Sequence, residues 1–158
     1  MTEWEYLNRA EAAREKLYRT ALMTLGSQSA AIDAVDEAVY KGYCGHRKLR
    51  QPEYFDTWLI RILLNVCRDE LRRRKRELAV EALPETAQEA FDALPLKEAV
   101  RRLPEALRQV VVLRFFTGLT LEETADALHL PRGTVSTRQR KALTLLKLEL
   151  SDGEEGTP

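Results

Sequence analysis

The residues of this chain whose side chains could carry out chemistry are few and widely spaced. Asp33 and Glu37 lie four positions apart, so a helix would place their carboxylates side by side, where they could hold a divalent cation for a nuclease reaction. The two histidines, His46 and His129, are far apart in sequence and lack the spacing of metal ligands. A helix face that is solvated or that binds a partner is therefore favoured over a metal site. We predict no catalytic residue, no metal and no cofactor.

The cysteine content and the hydropathy pattern exclude further classes. Cys44 and Cys67 lack CxxC spacing, which favours free thiols in a reducing compartment over a disulfide or a metal site. The N-terminus is acidic, and no apolar run approaches the length of a membrane-spanning helix. We therefore expect a cytoplasmic protein without membrane insertion. A chain of 158 residues can form one ordinary domain or two small ones.

Positive charge is concentrated in two separate blocks, although the formal net charge of the chain is zero. Residues 41–76 contain eleven Lys and Arg against four Asp and Glu, and residues 131–148 contain five against none. Residues 77–98, between them, contain one Lys against six acidic residues. Two basic blocks in one small chain indicate two surfaces that face nucleic acid, joined by a solvated acidic segment. Merely soluble helix faces are the less favoured alternative.

The stretch Thr120–Leu146 has the pattern of two short helices joined by a tight turn. Thr120 and Glu123 have the spacing of a capping box, and Pro131 ends the first helix and opens the second. The inner side of the second helix is predicted to hold Val135, Ala142, Leu143 and Leu146. Its outer side and first turn are polar and basic, with Arg132, Gly133, Thr134, Ser136, Thr137, Arg140 and Lys141. This build is typical of a helix-turn-helix, which reads the DNA major groove; an ordinary helical hairpin is the alternative.

The basic block of residues 41–76 contains a strongly apolar helix, predicted over residues 52–76. Pro52 and Glu53 suit its first turn, its middle is apolar on nearly all sides, and it ends in the five cations Arg72–Arg76. With the basic loop of residues 44–51 beside it, this helix suits contact with the DNA backbone and stacking on unpaired bases. Plain core packing is an equally good interpretation for three aromatic residues, Tyr54, Phe55 and Trp58.

Helical periodicity predicts an all-α fold for the remaining segments as well. Helices are expected at 3–25, 30–43, 96–102 and 105–117, with Gly118 as the last cap. The predicted buried side of the first helix contains Leu7, Ala10, Leu17, Ala21 and Leu25, with Tyr6 flanking it. That of the second contains Ile32, Val35, Val39 and Tyr43. Two small helical domains, 1–77 and 96–150, are predicted, with an acidic linker at 78–95 and a disordered tail at 151–158.

Two blocks of this sequence, taken in their order, resemble a known family. The first contains AIDAVDEAVYKGY and PEYFDTWLIRILLNVCRDELRRRKR, and the second contains LPEALRQVVVLRFFTGLTLEETADALHLPRGTVSTRQRKAL. Together they resemble regions 2 and 4 of the extracytoplasmic-function (ECF) sigma factors of bacterial RNA polymerase, over about residues 15–148. The resemblance implies a promoter-specificity subunit that directs transcription initiation and carries no chemistry of its own.

The resemblance also implies which residues meet which partner. Region 2 (1–77) would bind the clamp helices of the largest subunit of core polymerase through Asp33, Asp36, Glu37 and Lys41. It would melt and hold the −10 promoter element through His46, Arg47, Lys48, Arg50, Tyr54, Trp58, Arg61, Asn65, Arg68, Arg72 and Arg73. Region 4 (96–150) would read the −35 element with the outer side of its recognition helix and touch the flap of the second-largest subunit. An anti-sigma factor is a further expected partner.

Three positions depart from the usual pattern of this family. Asp36 stands where Gln is common, so the contact with the clamp is expected to differ in detail. His129 stands in the turn where Gly is common, and a left-handed backbone is less costly for His than for most other residues. Gln139 stands where the recognition helix commonly has an apolar residue, which predicts looser packing.

A free-standing helix-turn-helix regulator of duplex DNA is the alternative function. Residues 52–76 discriminate between the two, because such a regulator has no need of an aromatic helix that ends in five cations. The promoter-specificity subunit is therefore the favoured interpretation.

Overall fold

A computed structural model describes the backbone of residues 1–80 and 95–155, and the side chains of residues 1–77 and 95–148. All regular structure in these ranges is helical, with no strand, which confirms the predicted all-α fold. Within the same ranges, no helix combines the length and the apolar character that crossing a membrane requires.

The chain divides into two compact units, Met1–Glu89 and Ala90–Pro158. The division falls within the linker predicted at 78–95. The helix that enters this linker continues to Val80, and residues 81–94 lie outside the described part of the chain.

The first unit is built from three helices: α1 (Glu3–Leu25), α2 (Gln28–Gly45) and α3 (Phe55–Val80). Two 3₁₀ turns, His46–Lys48 and Pro52–Tyr54, occupy part of the segment between α2 and α3, for which the sequence predicts a loop followed by the first helical turn. Each helix of this unit packs against the other two. α3 therefore lies against both α1 and α2, which is why its middle is apolar on more than one side.

A two-residue connection makes α1 and α2 antiparallel neighbours. Gly26 has φ 74°, a left-handed conformation that costs glycine little, and its N–H closes α1 by donating to the carbonyl of Leu22. Ser27 then begins α2, because its hydroxyl accepts a hydrogen bond from the N–H of Ala30 at 3.3 Å. The pairing of Arg14 with Asp36 and of Tyr6 with Val39 fixes the antiparallel alignment.

The smallest residues of α2 form its buried face. These are Ala31, Ala34, Val35, Ala38 and Gly42. A Cβ on Gly42 would lie 2.5 Å from Oη of Tyr6 and 3.0 Å from Cδ1 of Leu59. The helices therefore approach too closely at this point to accommodate a side chain.

The predicted buried faces of α1 and α2 are wrong at several positions. Leu7 is 50% exposed and Ile32 is 51% exposed, and Tyr43 also lies at the surface. Tyr6, expected only to flank the core, is fully buried and donates its hydroxyl to the carbonyl of Val39. Helical spacing groups residues on a face, but close helix packing selected the face with the smaller side chains.

Both cysteines are free thiols, as predicted. Cys44 is exposed, whereas Cys67 is buried in α3. Burial raises the pKa of the Cys67 thiol to about 12, so this thiol stays protonated and unreactive in the folded protein.

The second unit contains α4 (Pro95–Arg102), α5 (Glu105–Val111), α6 (Leu121–Leu128) and α7 (Arg132–Glu155). Val110, Ala125 and Val135 form the centre of one core cluster, against which Leu121, Leu128 and Leu130 pack. The contacts of α7 are with α4, α5 and α6. The inner face of α7 therefore packs against three helices.

The helix predicted at 105–117 is split into two forms. α5 ends at Val111, and a π-helix follows over Val112–Thr117. Gly118 has φ 88° and caps this segment, which confirms its predicted role. The wider π-helical turns were not predicted, since the apolar pattern of a short run does not distinguish them from an α-helix.

Two predictions for α7 need correction. Leu143, placed on the inner side from its spacing, is 42% exposed, whereas Val135, Ala142 and Leu146 are buried as predicted. The tail predicted to be disordered from residue 151 is helical up to Glu155, and residues 156–158 are outside the described range. Extending an existing helix requires no new nucleus, so polar residues can continue it.

Candidate nucleic-acid interface

One face of α3 and the turn before it carries a continuous strip of aromatic, amide and cationic side chains. Its members are spaced by three or four residues, and this α3 strip consists of Tyr54, Trp58, Arg61, Asn65, Arg68 and Arg72. Tyr54, Asn65, Arg68 and Arg72 are exposed, and Trp58 and Arg61 are half-buried. The structure therefore brings six of the residues predicted for the −10 element onto one surface.

The sequence allows either core packing or base stacking for Tyr54, Phe55 and Trp58, and the structure places the three side chains in different environments. Phe55 is 2% exposed and belongs to the core, where its ring lies 5.8 Å from that of Tyr6. Tyr54 is 52% exposed and does not belong to the core. Trp58 is intermediate: its ring packs 5.9 Å from Phe55 while part of it remains at the surface. Tyr54 and Trp58 can thus offer a ring face to an unpaired base, and Phe55 cannot.

His46 does not reach the surface, and its prediction as a DNA contact is corrected. The residue is 4% exposed, and its ring lies 5.3 Å from Tyr6 and 5.4 Å from Tyr43. Its Nδ1 lies 2.6 Å from the carbonyl oxygen of Tyr43, so Nδ1 is the donor. His46 anchors the 3₁₀ turn from inside, while the neighbouring predicted cations are exposed at Arg47, Lys48 and Arg50.

The five cations at the end of α3 fall into two groups. Arg73 donates to Glu70 at 2.8 Å and to Glu77 at 2.6 Å, and Arg74 donates to Glu70 and to the carbonyl of Leu25. The hydrogen bond from Arg73 is the main cause that lowers the pKa of the Glu70 carboxyl. The other three cations, Arg72, Lys75 and Arg76, are exposed. Arg73, predicted as a DNA contact, is therefore engaged in ion pairs within the helix.

Two cations of α1 hold the start of α3, and sequence reasoning missed both. Arg9 donates to the carbonyl of Pro52 at 2.7 Å and lies 5.9 Å from the ring centre of Phe55. Lys16 lies 3.1 Å from the carboxylate of Asp56. These contacts fix the turn that presents Tyr54. They join residues separated by 43 and 40 positions, so no local sequence signal could have revealed them.

The helix-turn-helix has the geometry that its sequence predicts. Thr120 and Glu123 form the reciprocal capping box that begins α6. His129 has φ 57° and ψ 43°, which confirms the left-handed turn expected at this position. The N–H of Leu130 donates to the carbonyl of Ala125, and α7 starts two residues later. The turn therefore sets the crossing of α6 and α7 through backbone bonds.

The outer side of α7 presents a second strip, called the α7 strip. Arg132, Gly133, Thr137, Arg140 and Lys141 are exposed, and Thr134 and Ser136 are half-buried. Open space surrounds Gly133, so a backbone phosphate has room to approach the first turn. Arg132 lies 3.5 Å from the carboxylate of Glu122, both well exposed. This pairing is weak in water and can be exchanged for a phosphate.

The acidic face of α2 is exposed and partly paired within the first unit. Asp36 accepts from Arg14 at 3.0 Å, and Lys41 lies 3.3 Å from Glu37. Asp33 is exposed one turn from Glu37. The apolar residues Ile32 and Tyr40 lie exposed on the same helix, 51% and 67% respectively. A mixed acidic and apolar face of this kind suits a protein partner with basic and apolar residues.

Each of the two units matches a model of a known protein family. The family model described as "Sigma-70 region 2" matches residues 10–77, and that described as "Sigma-70, region 4" matches residues 99–148. The RNA polymerase sigma factor SigV of Bacillus subtilis is 30% identical over 143 residues, covering 87% of this chain and 86% of the relative. The RNA polymerase sigma-E factor of Streptomyces coelicolor is 31% identical over 153 residues, covering 92% and 86%.

Solved structures give the same fold. The sigma factor RpoE of Bartonella quintana, solved in complex with the anti-sigma factor NepR, superposes with a TM-score of 0.80 at 21% sequence identity. The match covers 93% of this chain and 97% of that one. CnrH, solved in complex with the cytosolic domain of CnrY, superposes with a TM-score of 0.67 at 22% identity. At such low identity these matches concern the fold alone.

Proposed function

The chain belongs to the sigma-70 family of RNA polymerase sigma factors, and on that premise we propose that it is an ECF promoter-specificity subunit in the bacterial cytoplasm. It binds core polymerase, recognises −10 and −35 promoter elements and directs transcription initiation, while the polymerase performs the catalysis. The observation that carries the proposal is the presence of two separate polar-basic strips, one in each unit, in the order of regions 2 and 4. A free-standing regulator would use the α7 strip but not the α3 strip.

The α3 strip serves the −10 element. Tyr54 and Trp58 stack on bases of the opened strand, which every base permits because every base has a flat face. Arg68 and Arg72 attract the phosphates, together with the loop cations Arg47, Lys48 and Arg50. Arg9 and Lys16 support the strip from α1 through the contacts described above.

The α7 strip serves the −35 element in duplex DNA. Arg140 is long enough to place two hydrogen bonds on a guanine edge, and Ser136 and Thr137 add shorter contacts. The first turn of α7, at Arg132, Gly133 and Thr134, binds a backbone phosphate. Phosphate contacts position the helix and base contacts supply the specificity.

The acidic and apolar face of α2 binds core polymerase through Asp33, Asp36, Glu37 and Lys41, on the clamp helices of the largest subunit. The second unit touches the flap of the second-largest subunit. An anti-sigma factor competes for such surfaces, which is supported by the fold shared with a sigma factor that was solved with its anti-sigma factor. The exposed Ile32 and Tyr40 offer apolar area for either partner.

Run-off transcription with bacterial core polymerase on a small promoter library tests the proposal. We expect a transcript from a subset of promoters only when this protein is added, and loss of that transcript when either the −10 or the −35 element is scrambled. Binding of the protein to duplex promoter DNA without any transcript would instead support a free-standing helix-turn-helix regulator. Cleavage of DNA by the protein with added magnesium would support the nuclease.

A further inference from the structure

A polar contact ties the recognition helix α7 to the segment that precedes the helix-turn-helix. Arg114 lies in the π-helix Val112–Thr117, and its Nε donates to Oε1 of Gln139 at 2.9 Å. Nη1 of the same guanidinium donates to the carbonyl of Leu119, in the turn that leads into α6. One half-buried arginine therefore joins the π-helix, this turn and the middle of α7.

Gln139 occupies a position of α7 at which an apolar residue would be expected. The buried residues of this helix, Val135, Ala142 and Leu146, are separated by seven and four positions. Gln139 lies four residues after Val135 and three before Ala142, so it continues the same inward stripe. It is half-buried there, and its side-chain oxygen is satisfied by Arg114. The inward stripe is thus polar at the level of the recognition residues.

Apolar packing anchors the inner side of this part of α7. Val135 is fully buried in the cluster with Val110 and Ala125, and Ala142 is also fully buried, whereas Leu143, which could have widened the apolar face, is 42% exposed. A hydrogen bond has a preferred direction, whereas an apolar contact tolerates small rotations. The Arg114–Gln139 contact therefore adds a directional restraint on the rotation of α7 about its own axis to that packing.

The rotational setting of α7 determines what the α7 strip can reach. A binding constellation works only when it is held within about 0.5 Å or 10–20° of its productive geometry. At the side-chain radius of a helix, about 6 Å, a rotation of about 10° moves a side chain by about 1 Å. Gln139 directly precedes Arg140, so a constraint on the first residue acts on the second.

We infer that Arg114 and Gln139 are positioning residues for −35 recognition, because their contact sets the rotation of α7 so that Arg140 meets its base. The inference rests on the proposed function and extends it to two residues outside the α7 strip. A lysine could not replace Arg114, since it lacks the planar fork that serves two acceptors in fixed directions.

The test uses run-off transcription with core polymerase on two promoters that differ only in the −35 element, one preferred and one scrambled. The measured quantity is the discrimination ratio, the transcript from the first promoter divided by that from the second. We expect Gln139→Leu to lower this ratio at least about fivefold, the lower end of what a bidentate base contact contributes. Gln139→Glu keeps an acceptor for Arg114 and should retain the ratio.

A double variant, Arg114→Met with Gln139→Leu, separates positioning from stability. Replacing both partners of a hydrogen bond by apolar residues of similar shape is often nearly neutral for stability. The double variant also loses the donor to the carbonyl of Leu119, so it should unfold close to the wild-type temperature and still show the lowered ratio. Arg108→Met is the matched control, because Arg108 donates to the carbonyl of Arg101 in α4, and it should leave the ratio unchanged.

Two outcomes would overturn the inference. One is an unchanged ratio for Gln139→Leu, and the other is a double variant whose ratio returns to the wild-type value, since the contact would then act on stability alone. The wild-type ratio, measured in the same experiment, tests the proposed function separately.

Discussion

The α3 strip is made mainly of large aromatic and cationic side chains, with the one amide of Asn65, whereas the α7 strip combines short hydroxyls with a few long cations. A ring stacks on any base and a cation attracts any phosphate, so most of the first set tolerates many sequences and Asn65 is its member with directional hydrogen-bonding groups for a base. Hydroxyls and Arg140 are suited to base edges, whose hydrogen-bonding patterns differ between base pairs. The comparison suggests that the first unit holds the opened −10 element with few base-reading groups, whereas the second unit reads the −35 element in duplex DNA with several.

The two strips also differ in how they are supported. The start of the α3 strip depends on α1, through contacts of Arg9 and Lys16 across 43 and 40 positions. The α7 strip combines local supports, which are the capping box and the turn at His129, with longer-range ones, which are the Arg114–Gln139 contact across 25 positions and the packing on α4 and α5. Damage to the first unit's core should therefore reach the α3 strip, whereas the turn before α7 is fixed by bonds within a few positions.

The largest expected effect is on the free energy of unfolding, and it distinguishes the buried Phe55 from its exposed neighbour Tyr54. Phe55→Ala should lower the free energy of unfolding of the first unit by about 3–5 kcal/mol, because it empties a buried site. Tyr54→Ala should change stability by less than about 0.5 kcal/mol and still impair opening of the −10 element. Urea unfolding followed by circular dichroism, with permanganate footprinting of promoter DNA, measures both. Equal destabilisation by the two variants would contradict the assignment.

The next effect concerns selectivity in the α7 strip. Arg140→Ala should cost about 1–3 kcal/mol on the preferred −35 sequence and much less on a scrambled one. For Lys141→Ala we predict no particular difference between the two −35 sequences, because Lys141 can contact a phosphate without contacting a base. Transcription from both −35 versions measures the difference. An equal loss on the two would mean that Arg140 only holds the backbone.

A smaller effect is expected from the outward cations of α3. Replacing Arg72 and Arg76 by alanine should weaken binding to all promoters, and the slope of log affinity against log salt should fall by about 0.7–0.9 for each phosphate that is no longer neutralised. Arg73→Ala with Arg74→Ala is the matched pair, which should reduce the slope less because these cations are engaged with Glu70, Glu77 and Leu25. A change of promoter preference at unchanged slope would contradict this division.

The smallest effect is a pH dependence at Glu70. Its pKa in the folded protein is lowered from the ordinary value of 4.5, chiefly by the hydrogen bond from Arg73. Its contribution to stability is therefore complete above pH 4.5 and is lost as the pH falls through the lowered pKa. Glu70→Gln should cost about 1 kcal/mol or less at pH 7, with the difference shrinking at pH 3. Urea midpoints at both pH values measure it, and a difference that grew in acid would contradict the argument.

Local chemistry explains which parts of the fold could be predicted. The capping box at Thr120 and Glu123, the cap at Gly118 and the turn at His129 depend on residues within a few positions, and the structure confirms them. The buried position of His46 and the support from Arg9 depend on packing between distant segments. The inward face of α2 was predicted only in part for the same reason: Val35 is buried as predicted, whereas Ile32 is exposed and Gly42 lies inside, close to Tyr6 and Leu59.

Gln139 illustrates a different limit of sequence reasoning. Its departure from an apolar pattern is visible in the sequence and predicts looser packing. The structure instead pairs it with Arg114, so the polar residue is accompanied by a compensating donor 25 positions earlier. A single sequence does not reveal which distant residue compensates an unusual one.

The position of the tryptophans has a spectroscopic consequence. Both Trp4 and Trp58 lie in the first unit, the former 74% exposed and the latter half-buried against Phe55. Intrinsic tryptophan emission therefore reports on this unit and not on the helix-turn-helix. Base stacking on Trp58 should quench that emission, whereas docking of α7 on duplex DNA should leave it nearly constant. Stopped-flow fluorescence without an added label can consequently time the capture of opened DNA during initiation.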